Sequence, residues 1–238
     1  MDIYFEATKL RVLSMDFSTN QKYVSELIGA FFLVLTVVGS GIMADHLSQD
    51  NGITLLGNAI PTRLTLIVII SIFGPISGAH FNPIVSLVFW LKRMMSFKDF
   101  IAYVVMQVSG AIFGCVVANI IFKLPPVTIS TLVRHDFSQF LSEILATFGL
   151  ILVIFIGSEV SKQNIPVLVG SYIASAYWFT SSTSFANPAV TVARQFSDTF
   201  TGISPSGVPT FIIAQIFGAI LGFIFIQWLT NTVIESDY

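Results

Sequence analysis

Two triplets that begin with asparagine and proline offer the polar groups most able to do chemistry in this apolar chain. They are Asn82, Pro83, Ile84 and Asn187, Pro188, Ala189. Proline suits the first turn of a helix, because its missing N–H would have no partner there, and asparagine is a good N-cap. Each triplet therefore predicts a helix start. The apolar segments that follow, 83–92 and 188–197, are shorter than the ~20 residues that span a bilayer. We expect them to be re-entrant half-helices.

The composition is that of a membrane protein. Of the 238 residues, 54% are hydrophobic and 10% are charged, and the mean hydropathy is +0.84. A soluble domain carries about 25% charged residues. Six longer apolar segments predict an all-α integral membrane protein with six transmembrane helices. These segments are 22–44, 57–75, 99–122, 138–158, 165–182 and 209–230.

The charged residues predict an orientation. Residues 1–21 lack the continuous apolar core of a signal peptide, so we interpret them, and residues 231–238, as cytoplasmic tails. Six crossings then place seven lysines and arginines inside and two outside, which fits the positive-inside rule. We expect a multi-pass protein of the cell (inner) membrane, surrounded by lipids. The net charge of −2 gives no indication of nucleic acid as a partner.

The chain contains an internal repeat. Three motifs recur in the same order at offsets of 117, 105 and 108 residues: SELIGAF at 25 and SEILATF at 142, NPIV at 82 and NPAV at 187, QVSGAIFG at 107 and QIFGAILG at 215. Each half, 22–125 and 126–230, holds three spans and one half-helix. Because the number of spans is odd, the second half enters the membrane from the opposite side. Such inverted repeats place their pathway at the midplane, between broken helices.

The symmetry of the repeat predicts the chemistry of its centre. It brings the two half-helix N-termini together near the middle of the bilayer, and each carries roughly +0.5 elementary charge. Two facing positive ends repel cations and protons, while the amides of Asn82 and Asn187 can donate to a passing oxygen. A pathway with this centre suits neutral hydroxylated molecules.

Two loop sequences resemble a known family. SGAHFNPIV at Ser77–Val85 and SFANPAV at Ser184–Val190 are similar to the signature loops of the aquaporins, or major intrinsic proteins. The resemblance covers about residues 22–230. It implies a right-handed bundle of six transmembrane helices and two re-entrant half-helices, assembled as a homotetramer. It also implies passive passage of water and small neutral solutes, with no catalytic residue, no metal and no cofactor.

The resemblance also suggests roles for three further polar residues. In the family, carboxylates at the positions of Glu26 and Glu143 hold backbone groups of the two loops. A proton relay and an exposed helix-end position are the alternatives. His80 matches a side chain near the cytoplasmic half of the pore. It either lines the pore or is a buried packing residue.

The family's outer filter has four positions, which fall here on Thr62, Ser175, Ser184 and Val190. The last position usually carries arginine. Its replacement by valine predicts a wide, uncharged filter. Pore diameter and lining groups set selectivity, so we expect passage of glycerol, urea, undissociated arsenite or methylated arsenicals. A proton- or ion-coupled secondary transporter is the alternative function.

Four further features qualify this prediction. Arg63 either reaches headgroups or a subunit boundary, or enters the vestibule as a replacement charge. Arg194 is expected to anchor its half-helix or to face the extracellular loop, and a shift in alignment that returns it to the constriction is the alternative. Ile84 stands where alanine is usual and either narrows the centre or packs behind the loop. The string at Ser184–Pro205 resembles a bacterial, arsenic-resistance branch that also lacks the filter arginine.

Overall fold

The computed structural model describes residues 16–234, with side chains to residue 230. These residues form eight α-helices and no strand. The helices are α1 Thr19–Leu47, α2 Asn51–Ser77, α3 Pro83–Leu91, α4 Phe97–Ile121, α5 Phe137–Ser161, α6 Ile165–Phe179, α7 Pro188–Arg194 and α8 Val208–Ile234.

Six of these helices are the predicted spans. Five helical stretches are long and apolar enough to cross a membrane, and the fourth of them, Phe137–Phe179, contains both α5 and α6. The short 3-10 turn Lys162–Asn164 divides it. The Tyr172 hydroxyl donates to the Ala146 carbonyl at 3.0 Å, while the Ser181 N–H donates to Ser142 Oγ at 3.1 Å. These pairings run in opposite directions along the chain, so α5 and α6 are an antiparallel hairpin.

Local capping fixes where the helices begin. Ser18 and Gln21 form a capping box at the start of α1, and the Asp50 carboxylate accepts from Gly52 and Ile53 at the start of α2. The second span therefore begins six residues before the predicted position 57. The half-helices begin at their prolines, as predicted, but end earlier than predicted, at Leu91 and Arg194.

The predicted tails need correction where the structure describes them. Helix α1 already begins at Thr19, inside the predicted tail 1–21. Helix α8 continues to Ile234, beyond the predicted tail boundary at 231. Residues 1–15 and 235–238, which make up the rest of both predicted tails, lie outside the described residues.

Glycines bring the matched helices into backbone contact. A Cβ built on Gly110 of α4 would lie 2.1 Å from the Leu27 carbonyl oxygen of α1. A Cβ on Gly218 of α8 would lie 2.4 Å from the Ile144 carbonyl oxygen of α5. Small residues permit this close approach of helices in membranes. The two helix pairs occupy corresponding places in the two halves, and the loops described below lie between them.

The outer surface is apolar, the reverse of a water-soluble protein. Val68 and Ile72 of α2 and Phe217 and Ile224 of α8 are each more than half exposed. The polar side chains of Glu26, Gln107, Glu143 and Gln215 are in contrast fully buried. This distribution is the one expected when hydrocarbon is the surrounding solvent.

Replacing Gly110 or Gly218 by alanine should lower the melting temperature of the purified protein in detergent. The added methyl group meets a backbone carbonyl, which cannot rotate away, so the helices must separate at a cost of ~1–3 kcal/mol. Gly39→Ala is the matched control, because its Cβ meets only a Phe122 ring atom at an ordinary 3.4 Å. Equal melting temperatures for all three variants would contradict the close-packing interpretation.

Candidate functional site

Two loops meet at the centre of the molecule with the same unusual backbone. Ala79 and Phe81, three and one residues before Asn82, have φ of 51° and 48°. Ser184 and Ala186, three and one residues before Asn187, have φ of 48° and 45°. L-residues rarely adopt this left-handed conformation, which costs roughly 1–2 kcal/mol for each residue. Surrounding groups must therefore hold both loops in place.

Glu26 holds the first loop. Its buried carboxyl group accepts from the Ser77 hydroxyl at 2.6 Å and from the backbone N–H groups of His80 and Phe81 at 3.0 and 2.7 Å. The Gln107 amide on α4 donates to it at 2.8 Å. Four donors thus converge on one side chain, and unpaired backbone groups are avoided at a depth where water is scarce.

Glu143 repeats this arrangement in the second loop. It accepts from the Ser182 hydroxyl at 2.6 Å, from the Phe185 and Ala186 N–H groups at 2.9 and 2.8 Å, and from Gln215 at 2.7 Å. Both carboxyl groups are 0% exposed, which is incompatible with the alternative of an exposed helix-end position. Neither lines the central cavity, so each reaches a solute only through the loop that it holds.

The two asparagines cross-link the loops. Asn82 Nδ2 donates to the Ala186 carbonyl at 2.8 Å, and Asn187 Nδ2 donates to the Phe81 carbonyl at 2.9 Å. Their Oδ1 atoms accept from the N–H groups of the half-helices that follow. An amide nitrogen carries two hydrogens, so each asparagine retains one N–H for a solute.

The remaining residues of the two triplets support the half-helices. Pro83 and Pro188 occupy the first helical turn of α3 and α7. Ile84 is buried in a cluster with Val88 and Phe155 and does not line the cavity. Of the two alternatives for this residue, the structure therefore shows packing behind the loop. Ala189 is likewise buried in the core and lies off the cavity lining.

A continuous cavity of about 140 Å³ runs past both loops. One wall is formed by the loop segments 78–82 and 184–187 with their backbone polar groups. No described group donates a hydrogen bond to the carbonyl oxygens of Ala79, His80 or Ser184, so these acceptors remain available to a solute. The other lining side chains are mostly aliphatic and include Leu33, Val37, Leu66, Leu150, Ile154 and Val169. The cavity is therefore amphipathic along its length.

Three of the four predicted filter residues lie together on this cavity. Thr62, Ser184 and Val190 line it, and each is at most 5% exposed. The fourth, Ser175, does not: it is exposed on the outside of α6, and its hydroxyl donates to the Ser171 carbonyl. The offset of 12 residues from Asn187 therefore misplaced this position.

Ile173 and Tyr177 take the place expected for Ser175. Both are buried and line the cavity, and Tyr177 interacts with the side chain of Thr62. Residues four apart share one face of a helix, whereas a residue midway between them lies on the other side. The sequence signal that could have identified them is the spacing of Val169, Ile173 and Tyr177, which are four residues apart and all line the cavity.

The structure separates the two arginines that qualified the filter prediction. Arg63 is exposed on the outside of α2 and does not line the cavity, so the vestibule alternative finds no support. Arg194 is 2% exposed and does line it. Its Nε donates to the Thr201 carbonyl, and its guanidinium carbon lies 3.4 Å from the centroid of the Phe185 ring. Arg194 anchors α7 through Thr201, as expected, and it also lies on the cavity, whereas the main expectation placed it off the pathway.

His80 lies at the opposite end of the cavity. Its Nδ1 is 3.0 Å from Ser86 Oγ, and its ring lies 4.3 Å from the ring of Phe89. Both His80 and Phe89 line the cavity, in agreement with the pore-lining alternative. Among the described residues, no three histidine, cysteine, aspartate or glutamate side chains lie close enough together to hold a metal ion.

Comparisons with known proteins agree with this geometry. The model of the major intrinsic protein family matches residues 13–184. The chain is 48% identical over 214 residues to aquaglyceroporin AqpS of Rhizobium meliloti (strain 1021), covering 90% of this chain and 92% of the relative. It is 29% identical to aquaporin NIP1-1 of Arabidopsis thaliana over 237 residues, covering 95% of this chain and 78% of that protein.

A solved structure shows the same fold. The X-ray structure of the aquaglyceroporin from Plasmodium falciparum superimposes with a TM-score of 0.70 at 20% identity. The match covers 92% of this chain and 99% of the other. The predicted all-helical, aquaporin-like fold is therefore confirmed.

Glu143→Gln should destabilise the protein. Both carboxyl oxygens of Glu143 accept hydrogen bonds, and the substitution replaces one of these oxygens by an NH₂ group, which cannot accept. Losing such hydrogen bonds in a buried site costs ~1–3 kcal/mol, which should appear as a lower melting temperature in detergent. Glu159→Gln is the matched control, since Glu159 lies on the same helix but is exposed. If both variants melted like the wild type, Glu143 would not be supporting the loop.

Proposed function

Because the chain belongs to the major intrinsic protein family, whose members are channels rather than enzymes, we propose that it passes water and small neutral solutes larger than water. Val190 carries this proposal. It lines the cavity beside Thr62 and Ser184, at the position where the family usually places a guanidinium group. Valine leaves more room at this position than a guanidinium group would, which favours a solute with several heavy atoms.

The amphipathic cavity favours polyols and similar molecules. Such solutes present hydroxyl groups on one side and C–H groups on the other, which matches a wall of carbonyl acceptors in a cavity otherwise lined mostly by aliphatic side chains. The name aquaglyceroporin, given to the 48% identical relative, supports glycerol as a test solute. Urea is a second neutral candidate of similar size. The resemblance of Ser184–Pro205 to an arsenic-resistance branch supports undissociated arsenite and methylated arsenicals.

Flux measurements on reconstituted vesicles test this function. Stopped-flow shrinking and reswelling should show that the vesicles are permeable to water, glycerol, urea and arsenite. The flux of each solute should rise linearly with its gradient. Permeability to water alone would contradict the wide filter. Saturable uptake driven by a proton gradient would instead support the secondary transporter, for which inverted repeats also provide a fold. Glu26 and Glu143, the candidate proton carriers, are already engaged by four donors each.

We propose that the protein lies in the cell membrane with both termini in the cytoplasm. The distribution of lysine and arginine supports this orientation. His80 would then face the cytoplasmic half of the pathway, and Val190 the outer half. Cysteine labelling with a membrane-impermeant reagent, at the 3-10 turn Lys162–Asn164 and at Thr131, distinguishes the two sides.

We also propose a homotetramer, as the family resemblance implies. The exposed apolar faces of the outer helices offer surface both for lipid and for neighbouring subunits. Native mass spectrometry of the detergent-solubilised protein measures the subunit number directly. A monomer that conducts at full rate would show that assembly is not needed for the pathway.

Val190→Arg should reduce glycerol permeability by roughly tenfold, or about 1.4 kcal/mol in barrier height, with a smaller effect on water. The guanidinium group narrows the ring and competes for the solute's hydrogen bonds. Val190→Met is the control, because it adds length without charge. If Val190→Arg conducted glycerol like the wild type, another position would determine the selectivity.

Ile173→Phe should reduce glycerol permeability, whereas Ser175→Phe should leave it unchanged. Ile173 lines the cavity, so a larger ring occupies the pathway, while Ser175 lies on the outer face of the same helix. Both variants are measured in the same vesicle assay, with protein per vesicle normalised by immunoblot. If Ser175→Phe reduced glycerol permeability and Ile173→Phe did not, Ser175 would be the filter residue, as the 12-residue offset predicted.

A further inference from the structure

Each end of the cavity carries a phenylalanine in contact with a nitrogen-bearing side chain, but the two side chains swap sequence positions between the two halves. Two residues before each asparagine stand His80 and Phe185, and seven residues after it stand Phe89 and Arg194. Each pair is in contact: the rings of His80 and Phe89 are 4.3 Å apart, and the Arg194 guanidinium lies 3.4 Å from the Phe185 centroid. All four residues line the cavity. A phenyl ring thus supports a nitrogen-bearing group at both ends, but only the Arg194 end carries a permanent charge.

The Arg194 guanidinium has unused hydrogen-bonding capacity. Of its nitrogens, only Nε has an acceptor among the described residues, the Thr201 carbonyl. No carboxylate of the described part of the chain forms an ion pair with it. Ser184 Oγ, on the same cavity, is buried and also has no hydrogen-bond partner within residues 16–230. Buried polar groups are nearly always paired, so the unpaired Ser184 hydroxyl, on the same cavity as the free guanidinium N–H groups, indicates a place for a ligand.

Stacking on Phe185 orients the guanidinium. A cation above an aromatic face is attracted by the ring's electrons, and a planar guanidinium in that position keeps its N–H groups directed sideways. The Thr201 carbonyl fixes one edge. The other edge is therefore free to donate to oxygen atoms in the cavity, while the charge itself stays in place.

The surroundings make this end of the cavity positive. Arg134 lies near the same Phe185 ring, 5.6 Å from its centroid, and donates to the Gly202 carbonyl at 2.9 Å. Glu143, beneath the loop, is the one carboxyl group that interacts with both arginines within the described residues. Two guanidinium groups against one carboxyl group leave a net positive charge. Its effect is strong because low-dielectric walls screen it weakly.

We propose that Arg194 is the cation-excluding charge of this channel and that its free N–H groups, with Ser184, form a binding site for the oxygens of a neutral polyol. This rests on the proposed channel function. Arg194 lies four residues beyond Val190, which is about 6 Å along a helix axis.

Neutralising the charge in place gives the sharpest test. Ser184→Asp puts a carboxylate on the cavity that Arg194 lines, next to Phe185, and keeps the anchor to Thr201. Aspartate tolerates the left-handed φ of 48° at this position. Ser184→Asn is the isosteric neutral control. In vesicles, Ser184→Asp should raise sodium and proton leak at least tenfold over Ser184→Asn. Equal leak in the two variants, with both conducting water, would overturn the proposal.

Removing the charge gives an independent test. Arg194→Gln should raise cation leak at least tenfold, Arg194→Lys should restore exclusion, and Arg63→Gln should behave as the wild type because Arg63 lies off the cavity. Arg194→Lys keeps the charge but lacks the forked donors, so its glycerol permeability should differ from the wild type. If Arg194→Gln conducted water without leaking cations, Arg194 would be an anchor only. A wild type that excludes cations but carries no glycerol would refute the proposed function and leave the charge barrier standing.

Discussion

The hydrogen bonds to two buried carboxyl groups are the constraint on which the pathway depends. A chain that reverses at membrane depth exposes backbone N–H groups where little water is available, and each unsatisfied group costs several kcal/mol. Glu26 and Glu143 each take two such N–H groups, one serine hydroxyl and one glutamine amide. This compensates for the left-handed residues of both loops and holds the loops in place beside the cavity.

The same interactions determine which groups meet a solute. Once the N–H groups are engaged by the carboxyl groups, and the Phe81 and Ala186 carbonyls by the two asparagines, the remaining loop carbonyls are left to the cavity. The two half-helices begin directly behind them, at Asn82 and Asn187. A neutral solute therefore meets acceptors and two amide donors, with mostly aliphatic side chains around the rest of the cavity. The pathway replaces the solute's hydrogen bonds to water on one side only. The solute is therefore bound weakly enough to leave as readily as it enters.

The sequence predicted the features that follow local or symmetry rules. The asparagine–proline starts obey helix-capping chemistry, and the repeat located the glutamates and glutamines that meet them. Ser175 was misplaced because an offset along the chain does not determine how a helix is rotated, and α6 presents Ile173 and Tyr177 instead. The place of Arg194 depends on contact with Phe185, two residues before Asn187, which only the folded loop creates. The available signal was the repeat itself, because Arg194 lies seven residues after Asn187, as Phe89 lies seven residues after Asn82.

A symmetric backbone with asymmetric side chains has a definite physical meaning. The matched loops and glutamates give both halves the same framework, yet one end carries His80 on Phe89 and the other Arg194 on Phe185. A fixed charge inside a passive pore raises the barrier for a cation equally in both directions, so it cannot create a preferred direction of flow. Under the proposed function, the asymmetry concerns which species pass, and the gradient alone decides where they go. Placing the charge at one end also leaves the central asparagines free to handle neutral oxygens.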